Sequence, residues 1–132
     1  MPRHTLSPVP RRVAILLHTL LDGSSHVDLL VAPDDRERGD EDRDVAAWRC
    51  GERPDRAPSG TTLALEPIEP HRALYLRLDA PRRLDRGRGE VQPLRRGAAD
   101  ERDGAMEIRW DDGGRSSFAF VARETGPALI VR

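Results

Sequence analysis

Apolar residues along this chain come in short runs, often alternating with polar ones, and most runs end at glycine, proline or clustered charge. Runs of this length, several with a period of two, predict β-strands. They fall at Val13–His18, His26–Ala32, Val45–Cys50, Thr62–Glu66, Ala73–Leu78, Glu90–Leu94, Ala105–Trp110, Ser116–Ala122 and Ala128–Val131. In Ala105–Trp110, Met106, Ile108 and Trp110 share one face, with Ala105, Glu107 and Arg109 on the other. In Ser116–Ala122, Phe118 and Phe120 share a face with Ser116 and Ala122. No stretch holds a helical period, and after His18–Leu21 the segment Asp22-Gly23-Ser24-Ser25 supplies hairpin chemistry. Pro33–Asp44 and Gly51–Gly60 are polar and turn-rich, so both read as loops. Many short strands between turn signals predict an all-β domain, a small barrel or sandwich, and closure of a barrel removes exposed edges.

At 132 residues the chain reads as one domain, with residues 1–11 as a flexible N-terminal arm. Charge changes this picture more than size does. The net charge is −1, yet Asp34–Asp44 carries seven carboxylates against three arginines. Arg82–Arg96 carries six arginines against only Asp85 and Glu90. Such a segment can offer phosphate a local basic surface, and it can equally be a solvated charge run. All 22 basic residues are arginine, a bias that GC-rich coding also produces. A guanidinium keeps its charge and presents a fork of donors that matches phosphate. Cys50 is the only cysteine, which excludes an intrachain disulfide and a cysteine-rich zinc site. The start, Met-Pro-Arg-His, lacks the apolar region of a signal peptide, and Val13–Leu17 is far too short to span a membrane. These features predict a soluble cytoplasmic protein with no membrane partner.

Candidate chemistry comes from two groups. His26 and Asp28 are two apart on one predicted strand and so share a face, which Leu30 and Ala32 continue. A hairpin through Gly23 brings His18 beside His26. Two imidazoles and a carboxylate make a divalent-metal site with positions open to water and substrate, although a same-face His and Asp also occur as a hydrogen-bonded pair. In the second group, alternation from His71 puts His71, Tyr75 and Arg77 on one face. Imidazole, phenol and guanidinium all donate to phosphate oxygens, and a protonated histidine can act as general acid. A half-exposed strand with an amphipathic tyrosine at its edge is the other reading. Gly87-Arg88-Gly89 reads as a turn, and Trp48 and Trp110 read as core.

The order His18, then His26-Val27-Asp28, then His71-Arg72-Ala73-Leu74-Tyr75 with Asp79-Ala80-Pro81 behind it, resembles the 3′-phosphoesterase domain of bacterial DNA ligase D and its stand-alone relatives. Arg86-Gly87-Arg88-Gly89-Glu90-Val91 is similar to the glycine-rich turn and strand that follow in that family. The resemblance runs from about Arg12 to Gly97. It implies a small closed antiparallel β-barrel of about eight strands with long polar loops. It also implies that His18, His26 and Asp28 hold manganese, or another divalent ion such as zinc, while His71 and Tyr75 engage the scissile phosphate. The implied activity is removal of a 3′-terminal phosphate or ribonucleoside from DNA or DNA/RNA primer ends, healing them for end-joining repair by a separate ligase or polymerase. A divalent cation suits that reaction because it neutralises charge that builds on the phosphoryl oxygens. Leu30 stands where the family carries a phosphate-gripping arginine, and Arg77 and Arg72 are the candidates to replace it. The alternative is a DNA-end or phosphate-binding module on the same barrel.

Overall fold

The computed structural model describes residues 11–132, so all but the last residue of the expected N-terminal arm lies outside the described residues. Arg11 itself opens the first strand. Nine strands follow in chain order: β1 (Arg11–Thr19), β2 (Ser25–Val31), β3 (Val45–Cys50), β4 (Thr62–His71), β5 (Arg82–Arg83), β6 (Glu90–Arg102), β7 (Ala105–Trp110), β8 (Arg115–Arg123) and β9 (Gly126–Val131). They run β1-β2-β3-β4-β9-β8-β7-β6, and β6 pairs back onto β1, closing an antiparallel barrel of eight strands. The two-residue β5 is an extra strand on β6. Closure leaves the long strands without a fully exposed edge.

Alternation explains which side chains fill the barrel. Val13, Ile15, Val27, Leu29, Cys50, Leu65, Ile108, Trp110, Phe118 and Leu129 form its interior. The residues between them on β1, β2 and β3 face outward, yet Ala14, Leu16, Leu30, Val45 and Ala47 are also buried. They are covered by Ala73, Tyr75, Leu76 and Leu78, which makes a second apolar cluster on the outside of the barrel. Covering a leucine there contributes about 1.5–3 kcal/mol, enough to hold the covering segment in place.

That covering segment departs from the sequence expectation. Ala73–Leu76 is a 3-10 helix, where a strand over Ala73–Leu78 was expected. The Ala73 and Leu74 N–H groups donate to the carbonyls of Asp42 and Asp40, so the backbone docks on the acidic loop and pairs with no strand.

The acidic loop is itself pinned. The Arg38 side chain is 3% exposed and donates to Asp34 and Asp44, as well as to the Arg36 carbonyl. Those carboxylates hold the guanidinium charged despite its burial.

Two strands run longer than their apolar patterns. β4 continues beyond Glu66 to His71 through Pro67 and Pro70, pairing there with β3 alone. A proline cannot donate into a ladder, so it suits a stretch with one open edge. β6 continues beyond Leu94 to Arg102, and its register against β1 shifts by one residue next to Pro93. The bulge accommodates the missing donor.

Candidate metal centre

His18 and His26 are direct partners across the β1–β2 hairpin, and Asp28 lies two residues further along β2. All three point outward, at the end of the external apolar cluster where the covering segment gives way to a cleft. The imidazole rings pack edge-on with centroids 4.7 Å apart. One donor atom from each of the three residues lies within 4.8 Å of the others. The group could hold a metal ion.

Hydrogen bonds fix which atoms are available. A carboxylate can only accept, so His26 Nδ1–H donates to Asp28 Oδ1 at 2.8 Å. That leaves His26 Nε2 with the lone pair, and this atom is buried without a partner among the described residues. A carbonyl likewise only accepts, so His18 Nε2–H donates to the Arg88 oxygen at 2.7 Å, leaving Nδ1 as its lone-pair nitrogen. A backbone carbonyl on the far nitrogen, as Arg88 supplies to His18, is a usual support for a metal-binding histidine. Asp28 is 2% exposed, and a buried carboxylate is costly without a positive partner. Two imidazoles and a buried carboxylate are a donor set that fits a divalent cation, and a cation shared by His26 and Asp28 would replace the hydrogen bond between them.

Arg88 reaches His18 through the turn between β5 and β6. Gly89 in that turn has φ of 91°, and a Cβ there would run into the Thr19 carbonyl of β1. Only glycine lets the turn press this closely on the strand that carries His18.

A cleft of about 350 Å³ opens beside the three residues, and His71, Arg72 and Tyr75 line it too. Both expected groups therefore share one cavity. The route differs from the expectation, because His71 ends β4 opposite Val45 while Tyr75 sits on the 3-10 helix. Their rings still meet edge-on at 5.8 Å. His71 Nδ1–H donates to the Glu69 carbonyl at 2.9 Å, which leaves Nε2 for chemistry.

Arg77 is the expected site residue that the structure removes. With no strand through Ala73–Leu78, it does not share the Tyr75 face. It pairs with Asp40 at 2.8 Å, donates to the Arg38 carbonyl, and lines a different recess. Arg72 remains in the cleft but is engaged, donating to both Glu41 oxygens at 3.0 Å and to the Tyr75 hydroxyl at 3.3 Å. The Tyr75 and Glu41 bonds raise the Arg72 pKa above its ordinary value. Its guanidinium orients the phenol. Leu30 lies on the His26–Asp28 face as expected and is fully buried in the external cluster.

Arg88, from the basic segment Arg82–Arg96, also lines the cleft, as do two arginines that the sequence did not single out, Arg43 and Arg49. Arg49 is the register partner of Asp28 across β2–β3. The period of two through Val45, Ala47 and Arg49 marks its outward face, but only strand register places it beside Asp28.

Among the described residues, no helix is long and apolar enough to cross a membrane. No protein-family model and no curated protein matches the chain.

Proposed function

We propose that the protein is a divalent-metal-dependent phosphoesterase acting on nucleic-acid 3′ ends. One observation carries the reading: a His18–His26–Asp28 donor group opens into the cleft that His71, Tyr75 and several arginines also line. The same residues, in the same order, give the chain its resemblance to the 3′-phosphoesterase domain of DNA ligase D.

His18, His26 and Asp28 would hold the cation, which when bound supplies charge neutralisation at a phosphoryl oxygen. The protein's own groups do the rest. The His71 imidazole, fixed through Nδ1, has Nε2 available to hold or deliver a proton at a leaving oxygen. Tyr75 is 8% exposed and is held by Arg72, so its hydroxyl is positioned in advance to meet a phosphate oxygen. The cleft arginines, set among Asp28, Glu69 and Asp85, would supply donors to phosphate oxygens.

The buried Leu30 and the engaged Arg72 favour a second reading, in which the cleft binds a phosphorylated end without turning it over. One assay separates the two. Purified protein with manganese is incubated with a DNA primer bearing a 3′-phosphate, and released phosphate is measured. Hydrolysis that needs metal and is abolished by His71→Ala or Asp28→Ala supports the enzyme. A folded protein that binds the end but releases no phosphate removes the catalytic claim and leaves the binding module.

A further inference from the structure

We propose that Arg49 is the residue that grips phosphate in this cleft. What the anion belongs to rests on the phosphoester reading above; that Arg49 takes an anion rests on its own surroundings. Asp28, Arg49 and Glu66 form one row across β2, β3 and β4, all on the outward face. Arg49 therefore emerges between the carboxylate of the candidate metal group and the edge of the cleft that it lines.

Its hydrogen bonding is incomplete. Nε is buried and has no acceptor among the described residues. The carboxylate that approaches it, Glu66, lies 3.8 Å from Nη1, beyond hydrogen-bond range, and is itself 65% exposed. Of the other cleft arginines, Arg72 is committed to Glu41 and Tyr75, Arg88 donates to the Asp85 carbonyl, and Arg43 comes from the acidic loop and not from the strand beside Asp28. The Arg49 side chain is 42% exposed at the cleft, and with its donors incompletely paired it can take a ligand that brings oxygens with it. Phosphate suits the fork because two of its oxygens can accept in parallel, which a carboxylate held at 3.8 Å does not. A cation at His18, His26 and Asp28 would offset the Asp28 charge that otherwise repels an anion there.

The probe is inorganic phosphate, titrated calorimetrically into the full chain in manganese buffer. Arg49→Ala and Arg49→Gln are expected to weaken phosphate binding about ten- to a hundredfold, the range for one charge-assisted hydrogen bond. Manganese affinity and the melting temperature should stay close to wild type, and Arg49→Lys should recover part of the loss. Arg102→Ala, on β6 and outside this cleft, should change nothing. Equal phosphate affinity in wild type and a folded Arg49 variant overturns the proposal, as does a wild type that binds no phosphate. On a 3′-phosphate primer the same variants should raise KM. If the wild type turns over that primer and Arg49→Ala keeps its KM, Arg49 is not the grip and the enzyme reading stands. If phosphate binds through Arg49 but no primer is cleaved, the enzyme reading fails and Arg49 remains the grip.

Discussion

At the scale of single residues, the barrel wall separates two chemistries that are adjacent in space. Asp28 faces the cleft, while Cys50, one position along β3 from Arg49, faces the interior at 1% exposure. Burial pushes the Cys50 thiol up to about 12, and the negative charge of Asp28 pushes in the same direction. A raised acid pKa means that the folded state holds the proton more tightly than the unfolded one. That contribution is complete below the ordinary value of 9.0 and is lost as pH rises from there towards about 12. Native protein treated with iodoacetamide at about pH 8 should show no added mass, because the thiolate is the nucleophile. The same treatment in denaturant should add one carboxamidomethyl group per chain, read by mass spectrometry. Labelling of the native protein at the denatured rate would show that Cys50 is accessible and that the wall between core and cleft is open.

Elements were legible where side-chain alternation alone decides the structure, and obscure where backbone donors decide it. β1, β2, β3, β7 and β8 follow their apolar periods to within two residues at each end. Pro67 hid the second half of β4, because an open edge that tolerates proline depends on distant strands, and the polar run Arg95-Arg96-Gly97 hid that of β6. Ala73–Leu76 misled for a related reason. Its apolar residues suit a strand, but the carbonyls of Asp40 and Asp42 take the Leu74 and Ala73 N–H groups. His71 and Tyr75 survived the error because both segments are held over one cluster, whereas Arg77 did not. The glycine-rich segment before β6 is the turn its sequence suggests, and the structure makes it a spacer of fixed dimension. Gly89→Ala would place a Cβ against the Thr19 carbonyl at a φ of 91°. It should cost about 1–3 kcal/mol in urea unfolding. It should also weaken manganese binding, since the Arg88 carbonyl that holds His18 moves with the turn. A fully stable Gly89→Ala protein with unaltered metal affinity would show that the turn does not brace His18.

For the molecule as a whole, two apolar clusters share strands β1 to β3 but serve different ends. The interior cluster draws on strands all around the ring and holds the barrel closed. The external one fastens the Ala73–Leu76 helix and, through it, the side of the cleft that carries Tyr75. Stability and site geometry should therefore be separable. Phe118 is fully buried in the interior on β8, a strand that contributes no residue to the cleft. Phe118→Ala should lower unfolding free energy by about 3–5 kcal/mol, yet the folded fraction should bind manganese as wild type does. Leu76, at 7% exposure, packs in the external cluster, so Leu76→Ala should cost about 2–5 kcal/mol or less if the helix simply lifts away. Its signature is different: the phosphate binding proposed for the cleft should fall through displacement of Tyr75 and Arg72, while the barrel amides should stay protected from hydrogen exchange. The decisive comparison is therefore exchange at β6–β9 in the two variants. Faster exchange there in Phe118→Ala, with protection retained in Leu76→Ala, follows from a barrel that stands without its external cover. Equal loss of protection in both would mean that the two clusters form one cooperative core, and that the cleft cannot loosen without the barrel.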